Sequence, residues 1–175
     1  MKRGLVHIYC GDGKGKTSAA MGLLLRAAGR GLKVVVVRLM KDCNSGELLS
    51  LSRLPEVTVI PAPEKLKFVF KMTDEEKAQY RAQVSSMLDA ACKTIEDKSA
   101  DVLIIDEACS AVETGMLDLG YLVEFIKRRP EGLEVVLTGR NPCDELIELA
   151  DYISEIKKIK HPYDNDTPPR IGIEL

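Results

Sequence analysis

Two periodicities alternate along the chain. Short apolar runs, Leu5–Tyr9, Lys33–Leu39 with four consecutive valines, Val57–Ile60, Val102–Ile105 and Glu134–Leu137, read as strands. A continuous apolar run has no solvent-facing positions, so these strands are expected to be covered on both faces, as in a parallel sheet. Between them lie segments with helical spacing. Ser18–Arg30 is rich in Ala and Leu and stops at Gly29-Arg30-Gly31. Thr73 opens a long helix with Glu76 as its capping-box partner and an apolar stripe of Tyr80, Val84, Met87, Leu88, Ala91 and Ile95. Asp118 caps a helix carrying Leu122, Phe125 and Ile126, which ends at Lys127-Arg128-Arg129-Pro130. A short helix is expected within Lys41–Arg53, and another from Asn141-Pro142 to about Ala150. Tyr152–Ile159 alternates imperfectly and reads as an edge strand, and the Pro- and Asp-rich tail from His161 should lie over the surface. Strand and helix in alternation predict an α/β fold, a three-layer sandwich with a mostly parallel sheet and helices on both faces. No repeat or linker divides residues 1–175, and a single nucleotide-binding domain is expected.

The first strand runs into Cys10-Gly11-Asp12-Gly13-Lys14-Gly15-Lys16-Thr17 and then into the first helix. Strand, glycine-rich turn, Gly-Lys-Thr and helix form a phosphate cradle: backbone N–H groups turn inward, and the helix dipole adds positive potential. Gly11, Asp12, Gly13, Lys14, Gly15, Lys16, Thr17 and Ser18 are the candidate contacts. Lys16, with Lys14, reaches phosphate oxygens, and the Thr17 hydroxyl is a ligand for Mg²⁺ (or Mn²⁺). The usual spacing places a glycine five residues before Gly15, where this chain has Cys10. A dinucleotide-type turn is the alternative, but its glycine spacing differs and it leaves Lys16-Thr17 unexplained.

Ligands of parallel α/β sheets sit at the carboxyl ends of the strands, where further candidates fall. Four apolar residues followed by Asp106 resemble a metal-supporting Walker B strand, and Glu107 beside it is a feature of the RecA-like branch, where it can orient water. Both could instead only cap the following turn. Arg140 follows Thr138-Gly139 and either grips a phosphate or pairs with Asp144; Lys41, after the second strand, is similarly placed. Phe68, Phe70 and Met72 form a loop cluster that packs as ordinary core or walls an apolar pocket.

Composition narrows the partners. A net charge of −2 provides no bulk attraction to nucleic acid or to an anionic membrane. No apolar stretch approaches the ~20 residues of a membrane span, and Met1–Gly4 leaves no room for a signal peptide. Five scattered cysteines without a Cys-x-x-Cys pair, and two histidines, argue against a zinc site or disulfide framework and for reduced thiols in a cytoplasmic protein.

Taken together, these residues resemble the ATP:corrinoid adenosyltransferases of the CobA/BtuR type. That family carries a short loop of the form Gly-Asn-Gly-Lys-Gly-Lys-Thr, matched by Gly11–Thr17 except at Asp12. Its Asp-Glu after a buried strand is similar to Asp106-Glu107. Thr138-Gly139-Arg140, Leu146–Glu155, Lys160-His161 and Gly172-Ile173-Glu174 resemble its later motifs. The resemblance implies transfer of the 5′-deoxyadenosyl group of ATP to Co(I) of a reduced corrinoid, with triphosphate leaving. Lys14, Lys16, Thr17 and Mg²⁺ would then hold the leaving group, with Asp106 supporting the metal. It further implies a homodimer, and a reductase partner could supply the electron. The family's aromatic-rich stretch before the long helix is here Pro63–Phe70, and the chain has no tryptophan. Either Phe68 and Phe70 stand in for those aromatics or the acceptor differs. A phosphate-loop NTPase or small-molecule kinase and a non-catalytic nucleotide- or corrinoid-binding module are the competing readings.

Overall fold

A computed structural model describes residues 3–41 and 45–173. Its elements in chain order are β1 (Val6–Cys10), α1 (Lys16–Ala28), β2 (Val34–Arg38), α2 (Gly46–Leu51) and β3 (Val57–Val59). A 3₁₀ turn (Val69–Lys71) leads to α3 (Asp74–Lys98), β4 (Val102–Asp106), α4 (Ala108–Glu113) and α5 (Leu119–Arg128). The chain continues through β5 (Glu134–Thr138), α6 (Asp144–Leu149) and β6 (Tyr152–Glu155), and a last 3₁₀ turn spans Pro162–Asn165. The six strands make one sheet in the order β3-β2-β4-β5-β1-β6, every pairing parallel.

Side chains of a strand alternate between faces, and each face of this sheet has its own cover. Val34, Val36, Val102, Ile104 and Val136 pack against Ala20, Leu24 and Ala27 of α1. Val35, Val37, Leu103, Ile105, Val135 and Leu137 face the other way, onto the stripes of α3 and α5. Fully buried β2 and β4 are therefore apolar at every position until their last residues, Arg38 and Asp106. The polar residues at those positions are where the core ends and the site begins.

The long helix follows its expected pattern. The Thr73 hydroxyl accepts a hydrogen bond from the Glu76 amide (3.2 Å), the Glu76 carboxylate accepts one from the Thr73 amide (3.0 Å), and the expected stripe is the buried face of α3. Asp118 likewise caps α5 through the Tyr121 amide.

Three local expectations are corrected. The helix expected from Asn141-Pro142 begins at Asp144, because the Asn141 side chain is drawn to Glu113 (2.7 Å) and Cys143 stays extended. The edge strand ends at Glu155 rather than Ile159: the Ile156 carbonyl turns to the phosphate loop, and Ile159 is left exposed. Helix α4 has no counterpart in the expected pattern, since its buried residues Ala108, Cys109 and Ala111 are too small to write a stripe.

Thr73→Ala removes one half of the capping box. The variant is expected to lose about 1 kcal/mol of stability, read in urea unfolding as a lower midpoint with an unchanged slope.

Candidate functional site

The phosphate loop owes its short form to Cys10. That residue stays in the β1 ladder, paired with Glu155 and buried, and its carbonyl accepts from the Ile156 amide. The turn starts one residue later, at Gly11, with φ of 105°. A side chain there would meet the Ile156 carbonyl oxygen at 2.4 Å, so both backbone sign and space demand glycine. The Gly13 amide donates to the same carbonyl (2.8 Å), and the Asp12 carboxylate accepts from the Lys158 amide (2.8 Å). That hydrogen bond from the Lys158 amide holds the Asp12 carboxyl below its usual range. Residues 156–158 thus form a strap behind the loop. At Gly15, which caps α1 with φ of 122°, an added Cβ would meet nothing within 4 Å; the requirement is conformational. The Lys16 ammonium folds back onto the Gly13 carbonyl (2.8 Å).

The next residue, Thr17, reaches the centre of the site. Its hydroxyl lies 3.0 and 3.3 Å from the two carboxylate oxygens of Asp106, which is wholly buried at the end of β4. Thr138, the last residue of β5, donates to Asp106 Oδ1 at 2.7 Å. Lys41 Nζ completes the cluster, 2.6 Å from Asp106 Oδ2 and 2.8 Å from Thr17 Oγ1. Helix α1 and the ends of β2, β4 and β5 therefore converge on a single carboxylate. One hydroxyl and one carboxylate around a shared cation are hard oxygen donors. Among the described residues no group of three or more His, Cys, Asp or Glu could hold a metal by itself. A divalent ion held here would draw its other ligands from phosphate oxygens and water, the habit of Mg²⁺.

Glu107 adopts a left-handed conformation (φ 61°), its amide donates to Thr138 Oγ1 (2.8 Å), and its carboxylate accepts from Ser110 Oγ (2.7 Å). Ser110 Oγ in turn accepts from the Arg140 amide (3.3 Å). Among the described residues no ion pair joins Arg140 to Asp144. Arg140 instead lines a cavity of about 590 Å³ with Asp12, Lys158, His161, Tyr163 and Asp164, beside the loop. Lys14 and Ser18 are exposed on the loop and the first turn of α1.

The core alternative for Phe68 and Phe70 is overturned: they are 70% and 80% exposed. The 3₁₀ turn directs Val69 toward the core, and Leu66 and Met72 pack there too. The two rings are left stacked on each other at 5.5 Å, with the Lys71 ammonium 5.8 and 5.7 Å from their centres. Among the described residues no hydrogen bond links them to the Asp106 cluster.

Three participants escape the sequence reading, while Thr138, read at a strand end beside Arg140, proves to be a direct partner of Asp106. Ser110 and the strap at 156–158 had no visible signal, since they act through folding contacts. Tyr80, read as part of an apolar stripe, also accepts a hydrogen bond from the Met40 amide through its hydroxyl (2.8 Å).

A phosphate loop on β1, with β5 inserted between it and the Asp106 strand, defines a RecA-like nucleoside-triphosphate-binding α/β domain. A KaiC-like protein from Pyrococcus horikoshii shares the fold, with a TM-score of 0.53 at 16% identity over 89% of this chain and 73% of that one. The model of the family described as ATP:corrinoid adenosyltransferase BtuR/CobO/CobP matches residues 2–175, and the chain belongs to that family. It is 31% identical to the corrinoid adenosyltransferase of Escherichia coli over 99% of this chain and 86% of that protein. Identity to the corrinoid adenosyltransferase of Pseudomonas aeruginosa is 30%, over 99% and 85%.

Thr138→Val keeps the shape of β5 but strips Asp106 of a donor and the Glu107 amide of its acceptor. Leaving buried groups unpaired predicts a loss of about 1–3 kcal/mol, measurable by chemical denaturation of the nucleotide-free protein.

Proposed function

We propose that this chain transfers the 5′-deoxyadenosyl group of ATP to Co(I) of a reduced corrinoid and releases inorganic triphosphate. The observation that carries the reading is the short phosphate loop beside the hydrogen-bonded pair of Thr17 and buried Asp106, in a chain that matches the adenosyltransferase family over residues 2–175. The electron pair of Co(I) forms the bond to C5′, the C5′–O5′ bond breaks, and its electrons leave with triphosphate. No nucleophile has to be activated by the protein, so its work is positioning and stabilisation of negative charge.

Gly11–Gly15 present backbone amides, with Asp12 anchoring the loop to Lys158. Lys14, Lys16, Ser18 and Lys41 supply donors to the departing triphosphate, and Arg140 approaches from the cavity beside the loop. Thr17 and Asp106 would hold Mg²⁺ or Mn²⁺, which when bound supplies further neutralisation of the polyphosphate. Glu107 shapes the nucleotide site, its carboxylate accepting a hydrogen bond from Ser110 Oγ. The stacked Phe68 and Phe70 offer an exposed apolar face for the corrinoid. Among the described residues no helix is long and apolar enough to cross a membrane. We place the protein in the cytoplasm as a homodimer acting through one nucleotide-binding domain per chain, with a reductase supplying the electron.

Anaerobic incubation with ATP, Mg²⁺, a corrinoid and a strong reductant tests this. Adenosylcorrinoid and triphosphate should appear one to one, and Lys16→Ala should lower kcat/KM by about 100-fold or more. ADP or phosphate with an unchanged corrinoid would refute it. Replacing Phe68 and Phe70 by alanine should raise the corrinoid KM and leave ATP affinity unchanged.

A further inference from the structure

The cation seat in this structure contains a cation of the protein's own. Lys41 Nζ lies within hydrogen-bond distance of both Thr17 Oγ1 and Asp106 Oδ2, the two atoms assigned above to the metal. Its position is built. The Leu39 amide donates to the Asp106 carbonyl (3.0 Å), Met40 turns the chain through a left-handed conformation (φ 58°), and the Met40 amide is fixed by the Tyr80 hydroxyl. The side chain that follows is delivered to the carboxylate.

We infer that Lys41 is an internal placeholder for the divalent ion, so that metal enters this seat only together with nucleotide. The inference rests on the assignment of Thr17 and Asp106 as the metal seat. Asp106 is wholly buried and cannot be left without a counter-charge at acceptable cost, which Lys41 meets in the nucleotide-free protein. A bare divalent ion would have to displace the ammonium from a buried carboxylate into solvent, and its apparent affinity falls by the fraction of molecules in which the seat is open. When the ion arrives on a polyphosphate, the released ammonium finds a new anionic partner in the same ligand. Lys41, about a third exposed, has room to move outward while its backbone stays tethered by Tyr80. Lys41 is thus a positioning residue before nucleotide binds and a phosphate donor afterwards. Tyr80 acts through it.

The test is Mn²⁺ binding read by electron paramagnetic resonance, with and without ATP. Without ATP, Lys41→Met should bind Mn²⁺ at least about tenfold more tightly than the native protein, and Mn²⁺ alone should raise the Tm of the variant but not of the native chain. Lys41→Gln, which keeps a hydrogen-bond donor without charge, should behave the same way and covers the case that Lys41→Met does not fold. Equal nucleotide-free affinities in native and variant proteins would overturn the inference. Asp106→Asn separates the two claims. If it weakens Mn²⁺ binding in the presence of ATP while Lys41 variants change nothing without ATP, the metal seat stands and the placeholder falls. If it leaves Mn²⁺·ATP binding unaltered, both fall.

Discussion

The Asp106 carboxylate is the point on which this structure turns. It is a charge in the core, and such a charge is tolerated only when its oxygens are fully paired. Thr17, Thr138 and Lys41 supply the partners, each from a different element. The first turn of α1, the end of β5 and the segment after β2 are therefore fixed relative to β4 by one group. Displacing any of the three leaves the carboxylate short of a donor. The same constraint sets the phosphate loop, because Thr17 is covalently continuous with it and the strap at residues 156–158 holds its other side.

This arrangement explains why apolar strands end in polar residues. Within β4 the alternation places Ile104 and Asp106 on the face covered by α1, with Leu103 and Ile105 on the other. The last inward position of the strand thus points at the amino end of α1, where the helix dipole and the loop amides gather. A hydrophobic residue there would pack well and do nothing. A carboxylate costs desolvation, which the three donors offset, and provides a fixed negative point that holds the Lys41 ammonium.

The sheet, the long helix and the loop were legible because each rests on local chemistry written in consecutive residues. Four β-branched valines in a row after a glycine turn read as a strand covered on both sides, and Thr73 with Glu76 specifies where α3 starts. Thr17 and Asp106 were legible for the same reason, one closing the Gly-Lys-Thr run that opens α1 and the other closing an apolar strand. What escaped lies in contacts between distant segments. The length of β6 depends on where Ile156 finds its hydrogen-bond partner, which is a loop some 140 residues earlier in the chain. The start of α6 depends on Asn141 meeting Glu113. Phe68 and Phe70 illustrate a different gap: hydrophobicity predicts burial on average, but a 3₁₀ turn has room for only one inward side chain, and Val69 takes it.

The geometry of the loop does not by itself distinguish transfer of phosphate from transfer of the group at the other end of the nucleotide. Both need the polyphosphate neutralised and held, and both are served by loop amides and lysines. The difference lies in what else must be present. Phosphoryl transfer or hydrolysis requires a group to position or deprotonate the attacking oxygen. Here the two carboxylates at the end of β4 are already engaged, Asp106 by Thr17, Thr138 and Lys41 and Glu107 by Ser110. A substrate that brings its own nucleophile, such as Co(I), needs only a leaving group made stable and an apolar surface on which to rest. A site whose loop amides and lysines face the polyphosphate, with both neighbouring carboxylates already hydrogen-bonded, is consistent with that division of labour.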